Sequence, residues 1–245
     1  MIIYGKIAVL EALKSEKTFN KLLIEKGLKD KTVQEIINIA RENGVKIDFV
    51  SKEIVERKAK TAETNLKVNH QGVVGEIVEF EYSSVEDILE NANQSGKPPF
   101  IIILDGVEDP HNLGAIVRTA ECAGASGIII PDRRACNINE TVIKTSAGAI
   151  SNVLVARVGN LVQTIEKLKE SGVWVYAVEV GGENLFKANL TGPIALVLGS
   201  EGKGVGRLVK ENCDGILTIP MFGKINSLNV SVAAAISTFE VVKQR

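Results

Sequence analysis

The sequence predicts an α/β protein in two parts, a small α/β domain followed by a larger domain built on a parallel sheet. Three observations carry this. From Phe100 onward, short runs of Ile, Val and Leu alternate with stretches of helical spacing, the pattern of strands buried on both faces. The first 80 residues show the same alternation on shorter elements. Between the two lie an acidic stretch, an Asn/Gln/Ser/Gly-rich stretch and then Lys97-Pro98-Pro99, a stiff break.

In the first part, Ile7 to Leu13 reads as a helix with Ile7, Leu10 and Leu13 on one face. Leu22 to Ile24 is a short apolar strand. Lys31 to Asn43 carries Val33, Ile36, Ile37 and Ala40 at helical spacing and stops at Gly44. Val45 to Val50 reads as a strand, Ser51 as the cap of a third helix, and Val73 to Phe80 as a β-branched strand. A short helix is expected over Val85–Asn91. The expected organisation is therefore an N-terminal domain over residues 1–78, a linker over 79–99 and a larger domain over 100–245.

In the second part, strands are expected at Ile101–Leu104, Gly127–Ile130, Val153–Val155, Trp174–Ala177, Ile194–Leu198 and Ile216–Ile219. Helices are expected at Leu113–Cys122, Glu140–Ala147, Leu161–Glu170 and Gly206–Lys210, with a last helix starting near Asn229.

Composition bounds the function. The 245 residues are 45% hydrophobic and only 4% aromatic, so a core of Ile, Val, Leu and Ala is expected. The net charge of −1 excludes a generally basic nucleic-acid coater. Residues 1–77 hold 14 Lys+Arg against 11 Asp+Glu, a local net of +3 that suits a polyanionic partner or a plain solvated surface. Cys122, Cys136 and Cys213 match neither a disulfide framework nor a zinc pattern, and His70 and His111 are the only histidines. No metal site is expected. The N-terminus lacks a leader pattern and no apolar run approaches the length of a membrane span, so a cytoplasmic, reducing setting is expected.

Three polar constellations sit where a strand end meets a helix start, the place where parallel sheets bind ligands. The first runs from Asp105 to Glu121 and holds Asn112, Arg118 and Glu121 in an otherwise apolar helix. Arg118 and Glu121 are three residues apart and share a face, which also suits a solvated ion pair. The second, Leu198-Gly-Ser-Glu-Gly202-Lys-Gly-Val-Gly206, is a glycine-rich loop with one acid that fits neither the P-loop nor the dinucleotide fingerprint; a bare turn remains open. The third runs Ile219-Pro-Met221-Phe-Gly223-Lys-Ile-Asn226-Ser227-Leu228-Asn229 into the apolar start of the last helix. Gly223 is expected to make a turn that a Cβ would resist, and Asn226, Ser227 and Asn229 to cap the helix and orient a polar ligand.

These segments, Asn112-Leu-Gly-Ala-Ile-Val-Arg118, Leu196-Val-Leu-Gly-Ser-Glu-Gly202 and Ile219-Pro-Met…Ser227-Leu-Asn-Val-Ser-Val-Ala-Ala-Ala235, resemble the three ordered motifs of the SpoU/TrmH family of the SPOUT superfamily. Tyr4-Gly-Lys through Val68-Asn-His-Gln-Gly-Val-Val74 resembles the substrate-binding domain of the branch that methylates a guanosine of 23S rRNA. The resemblance implies an S-adenosylmethionine-dependent RNA ribose 2′-O-methyltransferase with a C-terminal trefoil knot, working as a homodimer with its site at the two-fold interface. It implies a methyl donor cradled by Leu198, Gly199, Ser200, Glu201 and Gly202, by Ile219 and Met221, and by Ser227 and Leu228. Arg118 matches the family's catalytic arginine, as a base aided by an RNA phosphate or as a holder of that phosphate that stabilises the developing alkoxide. Asn112 would orient Arg118 or the ribose, Glu201, Ser227 and Asn229 would fix donor and target, and Glu121 would hold the helix arrangement.

Other readings within the family are a tRNA 2′-O-methyltransferase and a resistance-type rRNA methyltransferase. A non-catalytic RNA-binding or ribosome-assembly protein is the reading from a different class. His70 stands before a strand as a structural group or an RNA contact, and His111 is not fixed by the motif.

Overall fold

A computed structural model describes residues 1–15, 17–60, 69–78, 80–225 and 227–245. The expectations placed on Val68, Glu79 and Asn226 fall outside these residues. The chain forms two compact units, one of Met1–Glu81 with Ile138–Glu140 and the other of Tyr82–Asn137 with Thr141–Arg245.

The first unit is a four-stranded sheet in the order β1-β4-β2-β3, from β1 (Ile2–Tyr4), β2 (Thr18–Glu25), β3 (Lys46–Val50) and β4 (Val73–Val78). Strand β4 runs antiparallel to β1 and β2, while β2 and β3 are parallel. Side chains alternate across the pleat. Leu22 and Ile24 pack with helices α1 (Lys6–Lys14) and α2 (Lys31–Glu42), whereas Leu23 and Val74 pack with Val55 and Ala59 of α3 (Lys52–Lys60). Asp30 caps α2, its carboxylate accepting from the Val33 N–H at 3.0 Å. Two expectations change here. Ile7 is 70% exposed, and the buried face of α1 is Val9, Leu10, Ala12 and Leu13. Strand β1 was not anticipated, because three residues are too few for a period of two to show.

The second unit carries a six-stranded, wholly parallel sheet in the order β10-β8-β9-β5-β6-β7. Its strands are β5 (Phe100–Asp105), β6 (Gly127–Pro131), β7 (Val155–Val158), β8 (Trp174–Asn184), β9 (Ile194–Gly199) and β10 (Gly215–Thr218). One face packs under α4 (Val85–Gln94), α7 (Leu161–Glu170) and α8 (Arg207–Asn212), with Ile101, Ile103, Ala195 and Val197 buried against them. On the other face, Phe100, Leu196 and Leu217 pack with Val241 of α9 (Val230–Gln244). Helix α5 (Pro110–Cys122) packs on α9 and buries Leu113, Ile116 and Val117; α6 spans Glu140–Thr145.

The structure revises the expected linker. Residues 82–99 belong to the second unit: Ser84 and Asp87 form a reciprocal capping box for α4, and Ile88 of that helix is fully buried. The proline pair leads directly into β5 instead of separating domains. Strand β7 begins at Val155, two residues later than the apolar run suggested, and β10 ends at Thr218, so Ile219 to Met221 continue beyond the sheet.

Strand β8 is the largest departure, running to Asn184 instead of ending at Ala177. Its pairing with β10 jumps from Ala177↔Ile216 to Glu183↔Leu217, so the ladder skips residues 178–182. Thr218 pins that bulge from both sides: its hydroxyl donates to the Glu179 carbonyl at 2.7 Å and accepts from the Gly182 N–H at 2.7 Å.

Candidate active site

Parallel pairing aligns the C-terminal ends of β9, β5 and β6, and the register sets Asp105 beside Gly199. At this edge the chain after β9 folds into the glycine loop. Ser200 and Gly204 form an isolated antiparallel bridge, with the Gly204 N–H donating to the Ser200 carbonyl at 2.9 Å. Two acids close the loop: Asp105 accepts from the Gly206 N–H at 2.7 Å and Glu179 from the Val205 N–H at 3.1 Å.

Two glycines are required here for different reasons. A Cβ on Gly199 would lie 1.9 Å from the Gly204 carbonyl carbon, so the two backbones touch only if position 199 is bare. Gly204 holds φ at +65°, and a Cβ there would meet the Glu179 carboxylate at 2.1 Å. Gly223 needs neither reason: it has no positive φ and nothing lies within 4 Å of a Cβ built on it, so the expectation placed on it is corrected.

The loops enclose a cleft of about 650 Å³, within the range of small-molecule sites. The expected donor residues Leu198, Gly199, Ser200, Gly202, Ile219 and Met221 all line it. Glu201, Ser227, Leu228 and Asn229 line it as well. The β8 bulge supplies a wall the sequence did not announce, formed by Val178, Glu179 and Val180. Glu179 lies just past the expected strand end at Ala177, between two valines, and no local signal marks it.

Beside the cleft, three of the expected residues meet. The Asn112 amide donates to Glu201 Oε1 at 3.1 Å. The Asn229 amide donates to Asn112 Oδ1 at 3.0 Å and to the same Glu201 oxygen. Asn229 also caps α9, its Oδ1 accepting from the Ser231 N–H at 2.9 Å and from the Ser231 hydroxyl. Asn112 reaches this cluster from the first turn of α5, which Pro110 opens and the Asp109 carboxylate caps.

Arg118 stands apart. It is exposed on the later turns of α5, is not among the cleft residues, and makes no hydrogen bond or ion pair among the described residues. No ion pair joins it to Glu121. His111 is exposed at the start of α5, and His70 Nδ1 accepts from the Gly72 N–H at 3.0 Å, holding the turn before β4. Two thiols are quiet: burial, aided by Asp109, pushes Cys136 up to about 12, and burial, chiefly, pushes Cys213 up to about 11. No helix among the described residues is long and apolar enough to cross a membrane.

Comparison with known proteins matches this chain to a family. Residues 99–239 match the SpoU rRNA Methylase family, and residues 2–83 match the model described as RNA 2′-O ribose methyltransferase substrate binding. A Bacillus subtilis strain 168 protein named as a TrmH family tRNA/rRNA methyltransferase, YacO, is 43% identical over 245 residues, covering 99% of this chain and 95% of its own. A relative from Staphylococcus saprophyticus, similarly named, is 40% identical and covers 100% of this chain and 96% of its own. Among solved structures, an rRNA methyltransferase from Sinorhizobium meliloti is 26% identical with a TM-score of 0.61, covering 99% of this chain and 86% of that one. The SpoU methyltransferase AviRb from Streptomyces viridochromogenes, solved with AdoMet, shares the fold at 21% identity and a TM-score of 0.61, covering 100% of this chain and 90% of that one. The chain thus belongs to the SpoU rRNA methylase family and is an RNA methyltransferase.

Proposed function

We propose that this protein transfers the methyl group of S-adenosylmethionine to a ribose 2′-oxygen of a guanosine in 23S rRNA, in the cytoplasm. The observation that carries the donor assignment is the cleft itself. Gly202, with open space where a Cβ would sit, leaves main-chain N–H and C=O groups bare to a flat base, and Leu198, Ile219 and Leu228 add apolar contact. A volume of about 650 Å³ accommodates a ligand of the size of this donor. S-adenosylmethionine supplies an already activated methyl group; the chain's own groups align the acceptor and manage its proton.

In this reading Asn112, Glu201 and Asn229 lock the donor loop to α5 and α9, and Ser227 contacts the donor or the target ribose. Arg118 holds an RNA phosphate and stabilises the alkoxide as it forms; a guanidinium does not readily give up a proton, which disfavours it as the free base. The exposed, unpartnered state of Arg118 suits a site completed at a two-fold interface. We assign that interface to α9, whose Val232, Phe239 and Val242 are 45%, 48% and 37% exposed. The chain after β10 is read as closing a trefoil knot around the cleft. The N-terminal unit is read as recognising the RNA shape around the target.

Replacing Arg118 with Ala tests the assignment. Methyl transfer is expected to fall by about 100-fold or more while donor affinity survives. Retained turnover would sink it. A tRNA target is the second reading, since relatives are named for both RNAs.

A further inference from the structure

The turn after β6, Asp132-Arg133-Arg134-Ala135-Cys136, carries a feature that the chemistry above does not use. Arg134 holds φ at +57°, the left-handed region that glycine enters freely and a residue with a Cβ resists. A residue held in such a conformation persists where the surroundings impose it, and such positions cluster at functional sites. Nothing inside the protein accounts for the side chain: Arg133 and Arg134 are both exposed, and neither makes a hydrogen bond or ion pair among the described residues.

The turn is placed beside the donor loop. The Cys136 N–H donates to the Val107 carbonyl at 2.9 Å, tying the turn to the one after β5. A Cβ on Gly106 in that neighbouring turn would lie 3.4 Å from the Ser200 Cβ on one side and 4.0 Å from the Arg134 carbonyl on the other. Strand order puts β6 two strands from β9, roughly 10 Å at the usual strand spacing. The acids nearby are largely engaged. Asp132 pairs with Arg157 at 3.1 Å and Asp109 caps α5, which leaves Glu108 as the exposed acid of the adjoining turn. Exposed, unpaired Lys203 extends the positive edge onto the donor loop.

We propose that Arg133 and Arg134 grip backbone phosphates of the RNA next to the target nucleotide and so set its register against the donor cleft. The guanidinium fork matches phosphate oxygens, and phosphate contacts position a nucleic acid without reading its sequence. A merely solubilising charge would not need an arginine in a left-handed turn. This inference rests on the reading of the cleft as a methyl-donor site.

The test uses the full chain with in-vitro-transcribed 23S rRNA and bulk tRNA, in filter binding across a salt series and in methyl-transfer kinetics. The variants are Arg133→Ala, Arg134→Gly and their combination, with Lys167→Ala on α7 as a control of equal charge loss. Arg134→Gly is expected to keep or raise the melting temperature, because it relieves the left-handed backbone. The double variant is expected to raise KM for RNA about tenfold with kcat and donor affinity unchanged. Its slope of log affinity against log salt should be shallower by about 1.4 to 1.8, the value for two phosphates. Arg134→Lys should restore part of the affinity. RNA affinity and salt slope equal to those of the wild type in the double variant overturn the grip. A wild type that transfers no methyl group, yet loses RNA affinity in the double variant, overturns the reading of the cleft and leaves the grip standing.

Discussion

The Asn229 amide donates to Asn112 Oδ1 at 3.0 Å across 117 residues of chain, and the same amide nitrogen reaches Glu201 Oε1. One side chain thereby joins the cap of α9, the first turn of α5 and the glycine loop after β9. Apolar packing already brings these segments together, with Leu113, Leu198 and Val230 buried beside them, and the polar bonds fix how their ends meet. Charge on Glu201 strengthens both bonds it accepts.

Glu201→Gln keeps the shape and an acceptor oxygen but removes the charge. Methyl transfer is expected to fall about tenfold, equivalent to roughly 1.4 kcal/mol, and the melting temperature to move by only a few degrees. Glu201→Ala, which deletes both bonds, should fall further, by about 100-fold. Steady-state kinetics with thermal melts will show whether activity and stability separate in this way; equal activity in Glu201→Gln would remove the charge from the account.

Gly199 and Gly223 make a matched pair. An added methyl group at 199 collides with backbone at 1.9 Å, while one at 223 meets open space. Gly199→Ala is expected to lose about 3 kcal/mol or to lose donor binding outright, and Gly223→Ala to stay within about 0.5 kcal/mol of the wild type. Calorimetric titration with S-adenosylmethionine separates the two. Donor binding by Gly199→Ala at native affinity would mean that the loop does not close as described.

Thr218→Val keeps the volume and removes both bonds that pin the β8 bulge. The expected loss is about 1–3 kcal/mol, with the larger effect on donor affinity because Glu179 and Val180 line the cleft. Unchanged donor affinity alongside lowered stability would assign Thr218 to the fold alone.

Phe239 lies on the exposed apolar face of α9. Phe239→Glu should turn a dimer into a monomer in light scattering at micromolar concentration, and methyl transfer should fall with it. A wild-type chain that is already monomeric there would discard the two-fold site.

These outcomes also mark what local sequence carries. The second sheet was legible because Ile101–Leu104, Gly127–Ile130 and Ile194–Leu198 are apolar without interruption, and only strands covered on both faces read so. Asn112, Glu201 and Asn229 were legible as polar residues at strand-to-helix junctions, although no rule of spacing joins positions so far apart. The β8 bulge was not legible. Val178-Glu179-Val180 alternates like any strand, and the interruption arises only from its pairing with β10. Helix α4 was legible as a helix, but its acidic composition assigned it to the linker, because the packing of Ile88 depends on strands that follow it in the chain. Ile7 misled for a related reason: a periodic pattern names a face but not whether the fold covers it.

The central claim is the transfer of a methyl group to a ribose 2′-oxygen. Incubating the protein with labelled S-adenosylmethionine and in-vitro-transcribed 23S rRNA, then digesting the RNA and mapping the label, tests it directly. The account predicts label at one guanosine of 23S rRNA, in a dinucleotide resistant to alkaline cleavage because its 2′-oxygen is methylated. Label on a base, or no incorporation into either 23S rRNA or tRNA, would contradict it.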